Sequence, residues 1–133
     1  MQNSKYIYPA IFSKDENGYS VVFPDIENCF TDGETLEEAM ENAKDVLELM
    51  LYDYEDKKAA PPPASSISVL SVGVGEFATL IMADTMMYRK RFQKRAVKKT
   101  LTIPEWLNTE AEKNEINFSA VLQQALKDQL NIN

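Results

Sequence analysis

The segment KKTLTIP, residues 98–104, decides how the last third of the chain folds. Its polar and apolar side chains alternate, and this period of two predicts a β-strand with one polar and one apolar face. The polar face consists of Lys98, Thr100 and Thr102, and the apolar face consists of Leu101 and Ile103. Pro104 cannot continue the hydrogen-bond ladder of a strand, and it suits the first position of a helix.

Two helical patterns follow this strand. EWLNTEAEKN at residues 105–114 and INFSAVLQQALKDQL at residues 116–130 carry apolar residues at steps of three and four. The unit has about 36 residues, and a core so small normally needs a metal, disulfides or a second chain. The whole chain contains one cysteine and no histidine, so we expect two copies to dimerise. The predicted dimer core consists of Leu101, Ile103, Leu107, Val121, Leu122 and Ala125.

This order of elements resembles the ribbon-helix-helix family of DNA-binding proteins, with LTIP opening the first helix and INFSAVLQQAL opening the second. The resemblance implies that two strands pair antiparallel into a ribbon that enters the major groove of operator DNA. Lys98, Thr100 and Thr102 would then face the base edges. Asn117 and Ser119 would hold a phosphate at the start of the second helix. Because threonine makes only single hydrogen bonds to bases, we expect modest direct readout.

The charge distribution supports a nucleic-acid partner for this unit. The chain has a net charge of −7, but residues 1–88 hold 5 basic and 16 acidic side chains, whereas residues 89–133 hold 9 basic and 5 acidic ones. Seven of the 14 basic residues lie between positions 89 and 99. Such a cluster suits phosphate contacts, and we assign these to Lys94, Arg95 and Lys99. An ordinary α/β hairpin whose polar face only meets water has the same periodicity.

The first 88 residues predict a separate α+β domain. KYIYPAIFS and GYSVVFP are strand patterns, and the polar turn DENG between them predicts a hairpin. The segment DIENCFTDGE, residues 25–34, is rich in turn residues. Residues 57–66 contain three successive prolines and predict a loop, and a last strand is expected at about residues 76–83. The strands would form a small antiparallel sheet.

A long helix is predicted after residue 35. Thr35 and Glu38 have the spacing of a capping box, which marks the start of a helix. The apolar stripe, expected to cover the sheet, consists of Leu36, Ala39, Met40, Ala43, Val46, Leu47, Met50, Leu51 and Tyr54. The residues expected on the solvent side are Glu37, Glu38, Glu41, Lys44, Asp45 and Glu48.

The run VVFPDIENCFTDGETLEEAMENAKDVLELML, residues 21–51, resembles the HicB antitoxin family. In this family a strand ends at FPD and a T-x-G-x-T-x-x-E-A run opens the helix. The resemblance implies a partial double-stranded-RNA-binding-like fold that binds and covers a small basic HicA-type toxin, which cleaves messenger RNA. A net charge of −11 over 88 residues would attract a basic protein. The sequence singles out no toxin-contacting residues.

Catalysis, metals and cofactors are not expected. Asp25 with Glu27 and Asp32 with Glu34 lie in or beside predicted turns, without a nucleophile, and the chain has no histidine to act as a base. Cys29 is interpreted as a small buried hydrophobe. The methionines, notably Met82, Met86 and Met87, are expected to fill gaps in the core.

These observations predict a two-part antitoxin. Residues 1–88 would bind the toxin, residues 89–97 would form a basic linker, and residues 98–133 would dimerise and bind operator DNA, repressing the chain's own operon. We expect a homodimer or higher homo-oligomer. No secretion signal, membrane span or cysteine framework is apparent, so we expect a cytoplasmic protein. The alternatives are a solitary HicB-like repressor without a toxin, and a protein-binding adaptor whose C-terminal unit only dimerises.

Overall fold

The computed structural model describes residues 4–133, which fall into two compact units, residues 4–94 and Arg95–Asn133. The first unit contains the strands β1 (Lys5–Asp15), β2 (Gly18–Val22), β3 (Phe30–Gly33) and β4 (Glu76–Asp84), the helices α1 (Leu36–Asp56) and α2 (Thr85–Phe92), and a short 3-10 helix (Ile67–Val69). The second unit contains α3 (Glu105–Lys113) and α4 (Phe118–Leu130). The expected α+β class is confirmed.

The four strands form one antiparallel sheet in the order β3-β2-β1-β4. The predicted hairpin of β1 and β2 is confirmed, and its turn is closed by the Asn17 amide, which donates to the Asp15 carboxylate at 2.8 Å. Gly18 has a φ of 136°, and a Cβ at this position would lie 2.4 Å from the Gly33 carbonyl oxygen. Only glycine fits this turn without moving β3. The predicted last strand is also confirmed.

The sheet has one strand that the sequence did not predict. Residues 25–34 were interpreted as turns, but Phe30–Gly33 pairs antiparallel with β2, with Phe30 opposite Val22 and Asp32 opposite Ser20. This strand has only four residues, and two of them, Asp32 and Gly33, belong to types that are depleted in strands. It forms because the outer edge of β2 offers backbone groups that need hydrogen-bond partners.

Helix α1 covers one face of the sheet. Its predicted start is confirmed, because the Thr35 hydroxyl accepts a hydrogen bond from the Glu38 amide at 3.1 Å. The stripe is buried at Ala39, Ala43, Leu47 and Leu51 and packs with buried strand residues into one core. At its beginning the stripe prediction is wrong for Leu36 and Met40. Both are exposed although Ala39 between them is fully buried, because their side chains flank the face of the helix that packs on the sheet.

Glu48 was predicted to face solvent but is only 2% exposed. Its carboxylate accepts a hydrogen bond from the Asp84 amide at 2.9 Å, at the point where β4 passes into α2. A buried carboxylate is costly unless it is hydrogen-bonded, so this contact explains how α1 tolerates a glutamate in its buried side.

The prediction that the methionines fill the core is wrong for Met82 and Met87, which are about half exposed. Side chains alternate along β4, so Ile81 and Ala83 point to the α1 side and are buried, whereas Met82 points to the opposite face. No element within residues 4–133 covers Met82 on this face.

In the unit Arg95–Asn133 both predicted helices are confirmed. Pro104 is the residue before α3 instead of its first residue, with φ −59° and ψ 145°. Residues 98–104 have no regular secondary structure in the single chain, and no residue of this unit is buried. Among residues 4–133, no helix is long and apolar enough to cross a membrane.

Candidate functional site

The predicted DNA-reading residues lie in an accessible segment of the C-terminal unit. Lys98, Thr100 and Thr102 are all exposed, and they precede α3 in a stretch without internal hydrogen-bonded structure. A strand requires a partner strand, and the described residues of this chain provide none for residues 98–103. Their pairing with a second copy stays a prediction.

The beginning of α4 has the geometry expected of a capped helix. The Asn117 side chain accepts a hydrogen bond from the Ala120 amide at 3.0 Å, and the Ser119 hydroxyl accepts one from the Gln123 side chain at 3.0 Å. The first backbone hydrogen bond within the helix runs from the Val121 amide to the Asn117 carbonyl. The amides before Val121 therefore have no carbonyl partner inside the helix. The sequence correctly placed both residues at this helix start, and their phosphate contacts are untested.

The predicted dimer core is unburied in the single chain. Leu101, Ile103, Leu107 and Val121 are exposed, Ala125 is exposed, and Leu122 is only half-buried. Other large apolar side chains of the unit, among them Trp106 and Phe118, are exposed as well. Exposed apolar surface of this extent is typical of a surface that takes part in an interaction.

The structure divides the basic cluster between the two units. Helix α2 contains Arg89, Lys90 and Arg91, so the first part of the predicted linker is helical and belongs to the N-terminal unit. The residues 95–133 then hold five basic and five acidic side chains and have no net charge. Their basic residues are concentrated at Arg95, Lys98 and Lys99, directly before α3.

Both arginines of α2 form ion pairs with acidic residues of α1. Arg89 forms an ion pair with Glu55 at 2.9 Å, and its guanidinium lies 4.7 Å from the centre of the Tyr52 ring. Arg91 lies 3.7 Å from the Asp45 carboxylate. These contacts occupy arginines that the sequence had grouped with the phosphate-binding residues.

Glu55 is the centre of a hydrogen-bond cluster. Its carboxylate accepts hydrogen bonds from the Tyr6 hydroxyl at 2.6 Å, from the Thr85 hydroxyl at 2.8 Å and from Arg89 at 2.9 Å. Burial raises the pKa of Glu55, but these hydrogen bonds outweigh burial, and the pKa lies below its ordinary value. Burial and the hydrogen bond to Glu55 raise the pKa of Tyr6 to about 12. The cluster joins β1, α1 and α2.

The carboxylates considered for catalysis are not assembled into a site. Asp25 accepts hydrogen bonds from the Ser65 amide at 2.9 Å and the Ser65 hydroxyl at 2.5 Å, which fixes the proline-rich loop. Within residues 4–133 no group of three potential metal ligands comes together. Cys29 is buried, and burial raises the pKa of its thiol to about 11, so it is not a nucleophile at neutral pH.

The second candidate surface is the face of the sheet opposite α1, which sequence reasoning missed. We call it the outer face, and its exposed or half-buried apolar residues are Ile7, Ile11, Val22, Phe30, Leu80 and Met82. The strand register places Ile7 beside Met82, and it aligns Phe30, Val22 and Ile11 across three strands. A shallow depression of about 400 Å³ lies here, lined by Ile11, Val22, Phe30 and polar neighbours. Alternation along β4 was the signal that could have revealed this face.

Comparison with known proteins identifies the family. The family described as "HicB_like antitoxin of bacterial toxin-antitoxin system" matches residues 8–125. Antitoxin HicB 2 of Photorhabdus laumondii is 35% identical over 83 residues, which are 60% of this chain and 59% of that protein. Antitoxin HicB of Escherichia coli K12 is 49% identical over 60 residues, 43% of either chain. The chain thus spans less than two thirds of the length of these curated relatives.

A solved structure resembles the fold over nearly its whole length. A chain of the "Toxin-Antitoxin complex from Streptococcus pneumoniae" is 28% identical, with a TM-score of 0.62, and the match covers 94% of this chain and 99% of that one. The Burkholderia pseudomallei antitoxin HicB, at 17% identity and a TM-score of 0.53, shares the fold. Since the family match extends over most of the sequence and includes residues of both units, the chain belongs to the HicB-like antitoxin family of bacterial toxin-antitoxin systems.

Proposed function

We propose that this chain is an antitoxin that binds and covers a HicA-type mRNA-cleaving toxin and represses its own operon by binding operator DNA. The observation that carries the proposal is the family match over residues 8–125, which includes most of the acidic N-terminal unit and most of the C-terminal unit. The Streptococcus pneumoniae relative was solved as a toxin-antitoxin complex, which supports a toxin partner for this chain as well.

We assign toxin binding to the N-terminal unit, as a partial double-stranded-RNA-binding-like domain. Residues 1–94 hold nine basic and sixteen acidic side chains, and this negative charge attracts a basic protein. The unit also has its own buried hydrophobic core. An acidic domain with its own core suits steric occlusion of a ribonuclease.

We assign DNA binding and dimerisation to the C-terminal unit, as a ribbon-helix-helix dimer. A second copy would cover its exposed apolar residues, and pairing of residues 98–103 across the dimer would supply a partner strand. Lys98, Thr100 and Thr102 would face the bases. The residues at the phosphates would be Lys94, the last residue of the N-terminal unit, and Arg95, Lys99, Asn117 and Ser119 of the C-terminal unit. Residues 89–97, between the two functions, include the end of α2.

We expect a small basic protein to be encoded beside this chain. The toxin assignment is tested by co-expression of the full chain with that protein. We expect the chain to restore growth and to form a stable complex with that protein. A double variant, Lys98→Ala with Thr100→Ala, is the matched control, because it should still restore growth when the toxin is expressed from an unrelated promoter. If the folded, expressed chain does not restore growth, the toxin assignment is contradicted.

The DNA arm is tested by retardation of the upstream promoter fragment. Lys98→Ala with Thr100→Ala should abolish retardation while the dimer persists in size-exclusion chromatography. Lys113→Ala is the matched control, since Lys113 lies at the end of α3 beside Glu110, at 3.6 Å, and away from the predicted ribbon. Unchanged retardation by the double variant contradicts the ribbon assignment.

A second candidate function is a protein-binding adaptor whose C-terminal unit only dimerises. The zero net charge of residues 95–133 favours it, because nucleic-acid-binding units are usually basic. This candidate predicts that no promoter fragment is bound even at low salt, where phosphate contacts are strongest.

A further inference from the structure

The outer edge of β4 carries backbone groups that no described residue satisfies. The Thr85 amide donates to the Ser4 carbonyl at 2.9 Å, and the Lys14 amide donates to the Gly75 carbonyl at 3.0 Å. In an antiparallel pair, the backbone groups of every second residue form hydrogen bonds to the neighbouring strand. Because residues 75 and 85 bond residues 14 and 4, the residues of β4 that bond β1 are 77, 79, 81 and 83. The amides and carbonyls of Ala78, Leu80 and Met82 therefore point away from the sheet.

Both ends of this edge are closed by contacts inside the unit. The Glu76 amide donates to the Gly73 carbonyl at 3.1 Å, and the Asp84 amide donates to the buried Glu48 carboxylate at 2.9 Å. The three amides between them have no acceptor among residues 4–133. We call Ala78, Leu80 and Met82 the open edge.

The open edge lacks the features that normally prevent strand pairing. Natural edge strands are kept short, charged, bulged or interrupted by proline. The opposite edge of the sheet follows this rule, because β3 has only four residues and contains Asp32. In contrast β4 is nine residues long, and FATLIMA between its terminal acidic residues contains no charge, glycine or proline. Such an edge indicates that another strand covers it.

The side chains beside the open edge suit an added strand. Leu80 and Met82 are 51% and 56% exposed on the outer face, and Ile7 lies directly beside Met82. When a peptide joins a sheet edge, its backbone provides hydrogen bonds and its alternate side chains pack beside those of the edge strand. Apolar side chains of an added strand would extend the apolar surface formed by Ile7, Leu80 and Met82.

Charge distinguishes between the strands that could occupy the edge. A second copy of β4, paired antiparallel about Leu80, would place Glu76 opposite Asp84 at both ends and would bring two acidic units together. Like charges directly opposite each other destabilise strand pairs. A basic strand would instead lie beside the carboxylates of Glu76 and Asp84, and the negative net charge of the whole unit would attract it.

We propose that the open edge of β4 binds an extended segment of a basic protein partner as a fifth strand of the sheet. This inference rests on the proposed function, in which the basic partner is the toxin, and it names the surface that the toxin contacts.

The first test replaces the central residue of the open edge. Leu80→Pro removes the outward amide and leaves the hydrogen bonds of residues 79 and 81 to β1 in place. Edge strands tolerate a proline at such a position, where the missing amide would face solvent. Leu80→Ala is the matched control, since it shortens the same side chain and keeps the amide. Using the full chain and the small protein encoded beside it, we expect Leu80→Pro to weaken binding by about tenfold or more and Leu80→Ala to weaken it less.

A second pair of variants keeps the backbone intact, in case Leu80→Pro does not fold. Met82→Lys adds a positive charge at the open edge, and Met82→Glu adds a negative charge at the same exposed site. We expect Met82→Lys to weaken binding of the basic partner and Met82→Glu to preserve it. Amide hydrogen exchange of the wild-type chain should slow at Ala78, Leu80 and Met82 when the partner binds.

The outcomes separate this inference from the proposed function. If the wild-type chain does not bind the small protein, the toxin assignment and this inference both fail. If the wild type binds, but folded Leu80→Pro binds equally well or the two Met82 variants bind alike, only the edge assignment is overturned. If Leu80→Pro instead changes the self-association of the chain and leaves partner binding intact, the occupant is a second copy, and the inference is also overturned.

Discussion

The Arg89 guanidinium contacts the Glu55 carboxylate at 2.9 Å and thereby joins α2 to the end of α1. Both side chains are less than one third exposed, and the same carboxylate also accepts hydrogen bonds from Tyr6 and Thr85. Through this contact the beginning of the basic segment becomes part of the acidic unit. The division between the two units therefore lies between Lys94 and Arg95, after the helix.

Glu55→Gln should destabilise the N-terminal unit by about 1–3 kcal/mol at pH 7, because a charged acceptor of three hydrogen bonds is replaced by a neutral one. The pKa of Glu55 is lowered in the folded state, so its contribution is present above its unfolded pKa of about 4.3 and is lost as pH falls through the folded value. Urea unfolding should show a difference between wild type and variant that shrinks as pH falls below the unfolded pKa. A difference that stays constant with pH would contradict this account.

Tyr6 should cause a loss of stability at high pH. Its folded pKa of about 12 lies above the unfolded value of about 10, so the stabilisation is complete below pH 10 and disappears as pH rises toward 12. Thermal unfolding of Tyr6→Phe should show a weaker alkaline dependence than the wild type. An identical alkaline pH dependence of the two proteins would show that the pKa of Tyr6 is not raised in the folded chain.

Cys29 should resist thiol reagents in the native protein. Its side chain is 1% exposed, and burial raises the pKa of its thiol to about 11, so little thiolate forms at neutral pH. Labelling with an aromatic disulfide reagent at pH 7 should follow the rate of unfolding and become rapid in urea. Rapid labelling without denaturant would mean that the loop before β3 opens readily.

Arginines of α2 and lysines of the predicted ribbon should affect DNA binding differently. Lys99→Ala should lower affinity for the promoter fragment and reduce the slope of log affinity against log salt by about one, as expected for one lost phosphate contact. Arg91→Ala should leave the slope unchanged, because Arg91 is paired with Asp45 in the N-terminal unit at 3.7 Å. If both substitutions reduce the salt dependence of DNA affinity equally, Arg91 also contacts a phosphate, and its pairing with Asp45 does not exclude it from DNA binding.

Local patterns in the sequence predicted most of the fold. The alternation in β1 and β2, the Thr35–Glu38 capping pair and the stripes of α3 and α4 are complete within short segments, and each of these elements is confirmed. Strand β3 was missed because it is short and exists only through its pairing with β2. The burial of Glu48 was missed because its partner, the Asp84 amide, lies 36 residues away.

The candidate sites were harder to predict for the same reason. The sequence placed Arg89 and Arg91 in one basic cluster with Lys98 and Lys99, because these residues are close together along the chain. The actual partners of the two arginines, Glu55 and Asp45, lie on a helix more than 30 residues earlier. The open edge of β4 could be found only once the hydrogen-bond pattern between β1 and β4 was known.

The most direct test of the antitoxin function is an RNA-cleavage assay with the purified small protein encoded beside this chain. That protein should cleave messenger RNA alone, and an equimolar amount of the full chain should stop cleavage, as should the variant carrying Lys98→Ala with Thr100→Ala. Cleavage that continues when the toxin is saturated with folded antitoxin chain would contradict occlusion of the toxin active site.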